Sequence, residues 1–278
     1  MKNEKSTKRL IELPGIIDIH CHIFPDEIAD KAVASIGRFY DLEMNSDGKV
    51  SSLLAAASDA GITRSYVFST ATSLAQVDSI NYFLSNQIKR YPELSAFGTL
   101  HPEQNAVEIN ETIGKIQELG LQGIKLHPDF QQAAADGEFI VEVCRQAAGK
   151  LPVLLHAGDP RYEFSNPARI KNLSVRQPEC KIIAAHFGGW GQWQSAAQEL
   201  AGIHNVYVDT SSSFEFMSKS EIMTLFEKFG VDKILFGSDF PMWKPADELS
   251  ALSSLPVSDE DYLKIVWGNA NTLLKSFC

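Results

Sequence analysis

The chain has 278 residues, 44% hydrophobic and 22% charged, long enough to bury roughly three quarters of the surface its unfolded form would expose. Lys and Arg number 25 against 35 Asp and Glu, a formal net charge of -10, and such a surface repels phosphate backbones and anionic lipid, which argues against nucleic-acid and membrane partners. Ordinary Gly and Pro contents (18 and 12) exclude collagen-like and disordered chains, and four scattered cysteines (Cys21, Cys144, Cys180, Cys278) without a CxxC pair give neither a zinc ribbon nor a disulfide framework. In chain order, short apolar runs alternate with helical patterns. Strands are expected at Gly15-His20, Ser65-Ser69, Ser95-Leu100, Gly123-His127, Pro152-His156, Lys181-His186, Asn205-Asp209 and Lys233-Asp239, each nearly continuous in apolar character, as parallel strands covered on both faces are. Between them, helices are expected at Ser51-Ala60, Leu74-Tyr91, Ala106-Leu119, Glu138-Ala148, Pro167-Val175, Trp193-Leu200 and Ser220-Phe229. A last one runs from Asp259 to about Leu274, with Ser258 as N-cap and an interruption at Gly268-Asn269.

Eight strands alternating with helices predict an α/β chain folded as a (β/α)8 barrel, with a doubly wound sheet as the competing arrangement. No composition break marks a boundary, so residues 1–278 are expected to form one domain. Its long first connection, 24–49, would cover the face where the strands end. The N-terminal MKNEKSTKRLIELPG lacks the apolar run of a signal peptide, and no stretch is long enough to span a bilayer, so a cytoplasmic location is expected.

The chemistry lies in what ends each apolar run. Strand one ends in His20-Cys21-His22, strand four in Lys125-Leu126-His127, strand five in His156, strand six in His186 and strand eight in Asp239. Parallel barrel strands converge at their C-terminal ends, and so many imidazoles and carboxylates beside an apolar core call for a partner, which a divalent ion supplies. His20 and His22 share parity and can both face the axis, leaving Cys21 as buried filler. Gly237 permits the close backbone approach that brings Asp239 out. Asp18 is a candidate to orient a ligand histidine or to cap a turn. His101 reads as a packed loop residue, and His204, on the opposite side of a barrel, carries no role.

At HxH, GIKLHP, LLHAG, AAHFGG and FGSDFPM the sequence resembles the amidohydrolase superfamily. It is most similar to the branch of aminocarboxymuconate-semialdehyde decarboxylase-like and 2-pyrone-4,6-dicarboxylate lactonase-like proteins, from Asp18 to VWGNANTLL around Asn269. The resemblance implies a metal-dependent TIM barrel with His20, His22, His156 and Asp239 as metal ligands and His186 as a catalytic acid/base beside Asp239. A fourth-strand lysine is carbamylated between two metals in binuclear relatives. The Lys125-His127 pair instead fits the branch with one ion and an unmodified lysine lining the substrate site.

One divalent ion is therefore expected, zinc first and manganese second. Such an ion activates a water, and Asp239 accepts its proton, for hydrolysis of an ester, lactone or amide. The alternative is a nonoxidative decarboxylase in which His186 protonates the carbon that loses carbon dioxide. A metal-binding barrel without turnover is a third possibility, weakened by the extra imidazole of His186. Lys125, His127, Arg161 and Trp190, with Tyr162 and Trp243 nearby, are the expected contacts to a small anionic substrate. The apolar Phe214-Phe216-Met217 group is a candidate lid or homodimer surface.

Overall fold

A computed structural model describes residues 13–277, so the start of the N-terminal segment and Cys278 lie outside the described residues. The elements run β1 (Ile17–His22), α1 (Asp26–Tyr40), α2 (Val50–Ala60), β2 (Arg64–Phe68), α3 (Gln76–Arg90), β3 (Leu94–Ala96), α4 (Ala106–Glu118), β4 (Ile124–Leu126), α5 (Pro128–Gln131), α6 (Glu138–Ala147), β5 (Val153–Leu155) and α7 (Pro167–Arg176). They continue with β6 (Ile182–Ala184), α8 (Trp193–Leu200), β7 (Val206–Asp209), α9 (Lys219–Phe229), β8 (Ile234–Leu235), α10 (Pro245–Ser253), α11 (Asp259–Leu263) and α12 (Asn269–Lys275).

All the strand pairs are parallel, in the orders β1-β2-β3 and β4-β5-β6-β7-β8. Two seams join these arcs. Gly98 bridges Ile124, with Lys125 N donating to Gly98 O at 2.7 Å, and Cys21 bridges Phe240, with Asp239 N donating to His20 O at 2.9 Å. The sheet therefore closes on itself as a (β/α)8 barrel, and the doubly wound alternative is excluded.

Side-chain alternation divides the core into two layers. Leu154, Ile183 and Leu235 join Ile17, Ile19, Phe68 and Phe97 in an interior cluster, while their strand neighbours Val153, Ile182 and Ile234 pack outward on the helices. Lys125 lies between the outward-packing Ile124 and Leu126, so β4 places a fully buried lysine at an interior position.

The strands are shorter than the apolar runs because the ladder ends where the backbone turns away to present polar side chains. Three helices not expected from the sequence take shape as well, the shortest being α5, a single turn after β4. α1, inside the long first connection, buries Ala29, Val33 and Gly37 at four-residue spacing behind an acidic first turn. α10 begins at Pro245, where proline suits a first helical turn. The interruption expected at Gly268-Asn269 is a π turn, Lys264–Gly268, that passes directly into α12. Asn269 Nδ2 donates to Val231 O and Ile234 O and so ties this segment to β8. Ser258 caps α11 by accepting from Asp261 N. Among the described residues no helix is long and apolar enough to cross a membrane.

Candidate active site

Five expected ligand and acid/base residues gather at the strand-end mouth. Asp239 Oδ1 lies 3.4 Å from His20 Nε2 and 3.3 Å from His22 Nε2. His186 Nε2 lies 3.1 Å from His156 Nδ1. Two sets of three residues each offer ligand atoms within 4.8 Å of one another: His20, His186 and Asp239, and separately His127, Asp129 and His156. His186 and Asp239 hold left-handed backbone angles, with φ of 59° and 60°. Non-glycine residues persist there only when the surroundings over-determine them, and such strain concentrates at functional positions. Gly237 has the reason expected of it, since a Cβ there would meet His20 Cβ at 2.8 Å.

The hydrogen bonds behind the rings decide which nitrogens are bare. His20 Nδ1 donates to Asp209 Oδ2 at 2.9 Å, leaving Nε2 as a lone pair toward the Asp239 carboxylate. His186 Nδ1 donates to Ser211, whose Oγ is 2.8 Å and carbonyl 3.1 Å away, and His156 Nε2 donates to Gly158 O at 2.8 Å. The remaining nitrogens of His186 and His156 thus face each other as two lone pairs 3.1 Å apart. Opposed lone pairs repel unless a proton or cation lies between them, and buried donors of this type suit a divalent metal. The residues present therefore fit an ion.

Electrostatics agree. Burial, reinforced by the Lys125 charge, pushes His20 down to about 3 against the pull of Asp209 and Asp239. Burial also lowers His22 and takes His156 and His127 well below the ordinary histidine value. Burial opposes ionisation of Asp239, but the neighbouring His20 and His22 win and hold it below the usual carboxylate range. Burial pulls Lys125 down to about 8.

A cavity of about 30 Å³ opens over the site, walled by His22, Tyr40, His127, His156, His186, Trp190 and Asp239, with Phe130, Met44 and Met242 among the apolar sides. His127 stacks between Phe130 and His156, at centroid distances of 3.7 and 4.0 Å. Its Nδ1 accepts from Phe130 N, so Nε2 carries the proton and donates to the Tyr40 hydroxyl 2.9 Å away. Burial and nearby carboxylates raise Tyr40 well above its ordinary value, so the phenol keeps a proton free to offer into the cavity.

Of the expected substrate contacts, His127 and Trp190 stand in this wall. Lys125 does not; its Nζ approaches His20 Nε2 at 3.4 Å and lies over the Phe68 ring. Arg161 is engaged elsewhere. It pairs with Asp159 through Nε at 2.9 Å and Nη2 at 2.7 Å, and its Nη1 donates to Phe39 O, which ties down the end of α1 that carries Tyr40. Phe216 packs against Trp190, Trp193 and Trp243. Trp243 Nε1 donates to Ser212 Oγ, which in turn donates to Asp239.

Asp18 accepts from the backbone N–H of His20 and Ser238, shaping the two segments that carry ligands. The ring-orienting part belongs instead to Asp209, which the sequence reading passed over although NVYVD ends in a polar residue like the other strands. Tyr40, Asp129 and Ser211 were likewise unread; Asp129 follows two residues after His127. His101 is a turn residue, its Nδ1 accepting from Glu103 N.

Residues 17–275 match the amidohydrolase family. The chain belongs to that family. No curated protein matches it. Among solved structures, the fold is similar to that of an uncharacterised TIM-barrel protein from Bordetella bronchiseptica, with TM-score 0.79 and 17% identity over 94% of this chain and 99% of that one. It is also similar to a dihydroxybenzoic acid decarboxylase from Polaromonas sp. with bound manganese and the inhibitor 2-nitroresorcinol (TM-score 0.72, 17% identity, 94% and 97% covered). A putative 2-pyrone-4,6-dicarboxylic acid hydrolase from Pseudomonas putida shares the fold too (TM-score 0.67, 17% identity, 96% and 100% covered). Membership places the buried histidines and aspartates in a metal-binding amidohydrolase barrel.

Proposed function

We propose that the chain is a nonoxidative decarboxylase of a small aromatic or unsaturated acid, with one divalent ion held by His20, His22, His156 and Asp239 and with His186 as the acid/base. The observation that carries this reading is the set of flat side chains over the ligand cluster, Tyr40, Phe130, His127 and Trp190, which suit the planar, carboxylate-bearing edge of a substrate. A dihydroxybenzoic acid decarboxylase of the same fold, with manganese and a planar nitro-resorcinol bound, adds support. Held by these residues, an ion (zinc first, manganese second) would supply Lewis acidity toward the substrate. Tyr40 offers its O–H to a substrate oxygen. His186, anchored at Nδ1 by Ser211, takes and passes a proton at Nε2. The carbon–carboxylate bond breaks, carbon dioxide leaves, and the carbon that keeps the electron pair receives that proton.

Hydrolysis of a lactone or ester is the second reading. It is favoured by the ionised Asp239 beside two imidazoles, placed to accept a proton from water, and by the pyrone dicarboxylic acid hydrolase of like fold. Metal-loaded protein incubated in heavy water with dihydroxybenzoates and with a 2-pyrone dicarboxylate separates the two. Release of carbon dioxide with deuterium at the vacated carbon is expected. Acid production from the pyrone without carbon dioxide would replace this reading by the hydrolase.

A further inference from the structure

The cavity over the ligand cluster, at about 30 Å³, holds little more than a water or two. Beside it lies a second cavity of about 580 Å³, within the range of ordinary small-molecule sites. His22, Ile36 and Phe130 belong to the walls of both, so the two spaces lie side by side at one of the imidazoles paired with Asp239. We propose that this second cavity is the subsite for the substrate's body, and that the substrate is an acid carrying an uncharged aryl or alkyl substituent rather than a bare single-ring acid. The inference rests on the acid reading above and extends it to the rest of the molecule.

The walls match that occupant. α1 contributes Ile28 and Ile36, α3 contributes Ile80 and Phe83, and Phe130 and Phe164 close the far side. Ile28 and Tyr162, 51% and 37% exposed, stand in the wall as large apolar surface turned toward solvent. Among the described residues no cationic side chain lines the cavity, so they give a second anionic group no partner.

The test measures binding of benzoate, 4-butylbenzoate and 4-butylbenzyl alcohol to metal-loaded protein by titration calorimetry. Burial of the butyl chain should make 4-butylbenzoate bind about tenfold or more tighter than benzoate. Ser79→Trp and Ala32→Trp, which fill the cavity from exposed and half-buried positions in its wall, should bring that ratio down to about one. Equal affinity of the two acids in the wild type would overturn the subsite and leave the acid reading standing. A preference that survives both variants would overturn the placement. Should the alcohol bind as tightly as 4-butylbenzoate and lose affinity in both variants, the subsite stands and the acid reading falls. No binding of any probe overturns the subsite.

Discussion

Asp209 acts on two histidines at once, on the ring of one and the backbone of the other. Its Oδ2 accepts from His20 Nδ1, and its Oδ1 accepts from the backbone N–H of His186 at 3.0 Å. Asp209→Asn keeps the shape and removes the charge that fixes the His20 tautomer, so metal affinity should fall about 10–100-fold. Competition against a chromophoric chelator reads this directly, and unchanged affinity would show that Asp209 is only packing. His186 and His20 separate in the same way. His20→Ala should lose the ion, whereas His186→Ala should keep it while kcat drops about 10²–10⁴-fold. Metal content and turnover measured on the same preparations check both, and equal metal loss in the two variants would make His186 a ligand. The candidate residues at HxH, LLHAG, AAHFGG and FGSDFPM were legible because each follows an apolar run. Tyr40 was not, since nothing in its own connection announces that His127 lies within hydrogen-bond reach.

At the scale of elements, α10 carries Glu248 into the contact with α2, where it is almost wholly buried and its Oε2 has no hydrogen-bond partner among the described residues. Burial, with Glu215, Asp239, Asp18 and Asp247 as like-charged neighbours, pushes its carboxyl well above the ordinary value. An acid raised in the folded state resists ionisation, so the associated stability is complete below the ordinary glutamate range. It is lost as pH rises toward the folded value. Glu248→Gln should therefore raise Tm by about 2–4 °C per kcal/mol relieved, most at about pH 8 and least at about pH 3, where the carboxyl is protonated in both states. Thermal unfolding at the two pH values measures this, and a variant less stable at the higher one would refute it. Periodicity located α2, α3, α4 and α6 to α9 closely, because a regular apolar face is a local signal. It missed α1, the short α5 and α10, since in α1 the buried residues Ala29, Val33 and Gly37 are small and flanked by charge, and α5 is a single turn.

For the whole molecule, the facing lone pairs of His156 and His186, and that of His20 turned toward Asp239, mean that metal removal leaves buried repulsion at the mouth of the barrel. About one divalent ion per chain is expected by elemental analysis, with Lys125 unmodified by mass spectrometry. Chelation should lower Tm in proportion to the logarithm of the excess of free metal over its Kd. Two ions per chain, or a carbamate on Lys125, would favour a binuclear centre. The linear order of apolar runs and polar ends was enough to predict alternating parallel strands and helices with the chemistry at the strand ends, a barrel being favoured over a doubly wound sheet, because strand alternation and burial are local consequences of residue type. Closure at the Gly98 and Cys21 seams, the position of Lys125 inside the barrel, the pairing of Asp209 with His20 and the anchoring of α1 by Arg161 depend on contacts between residues distant in the chain. Spacing along the sequence carries no record of those contacts, and only packing in three dimensions sets them.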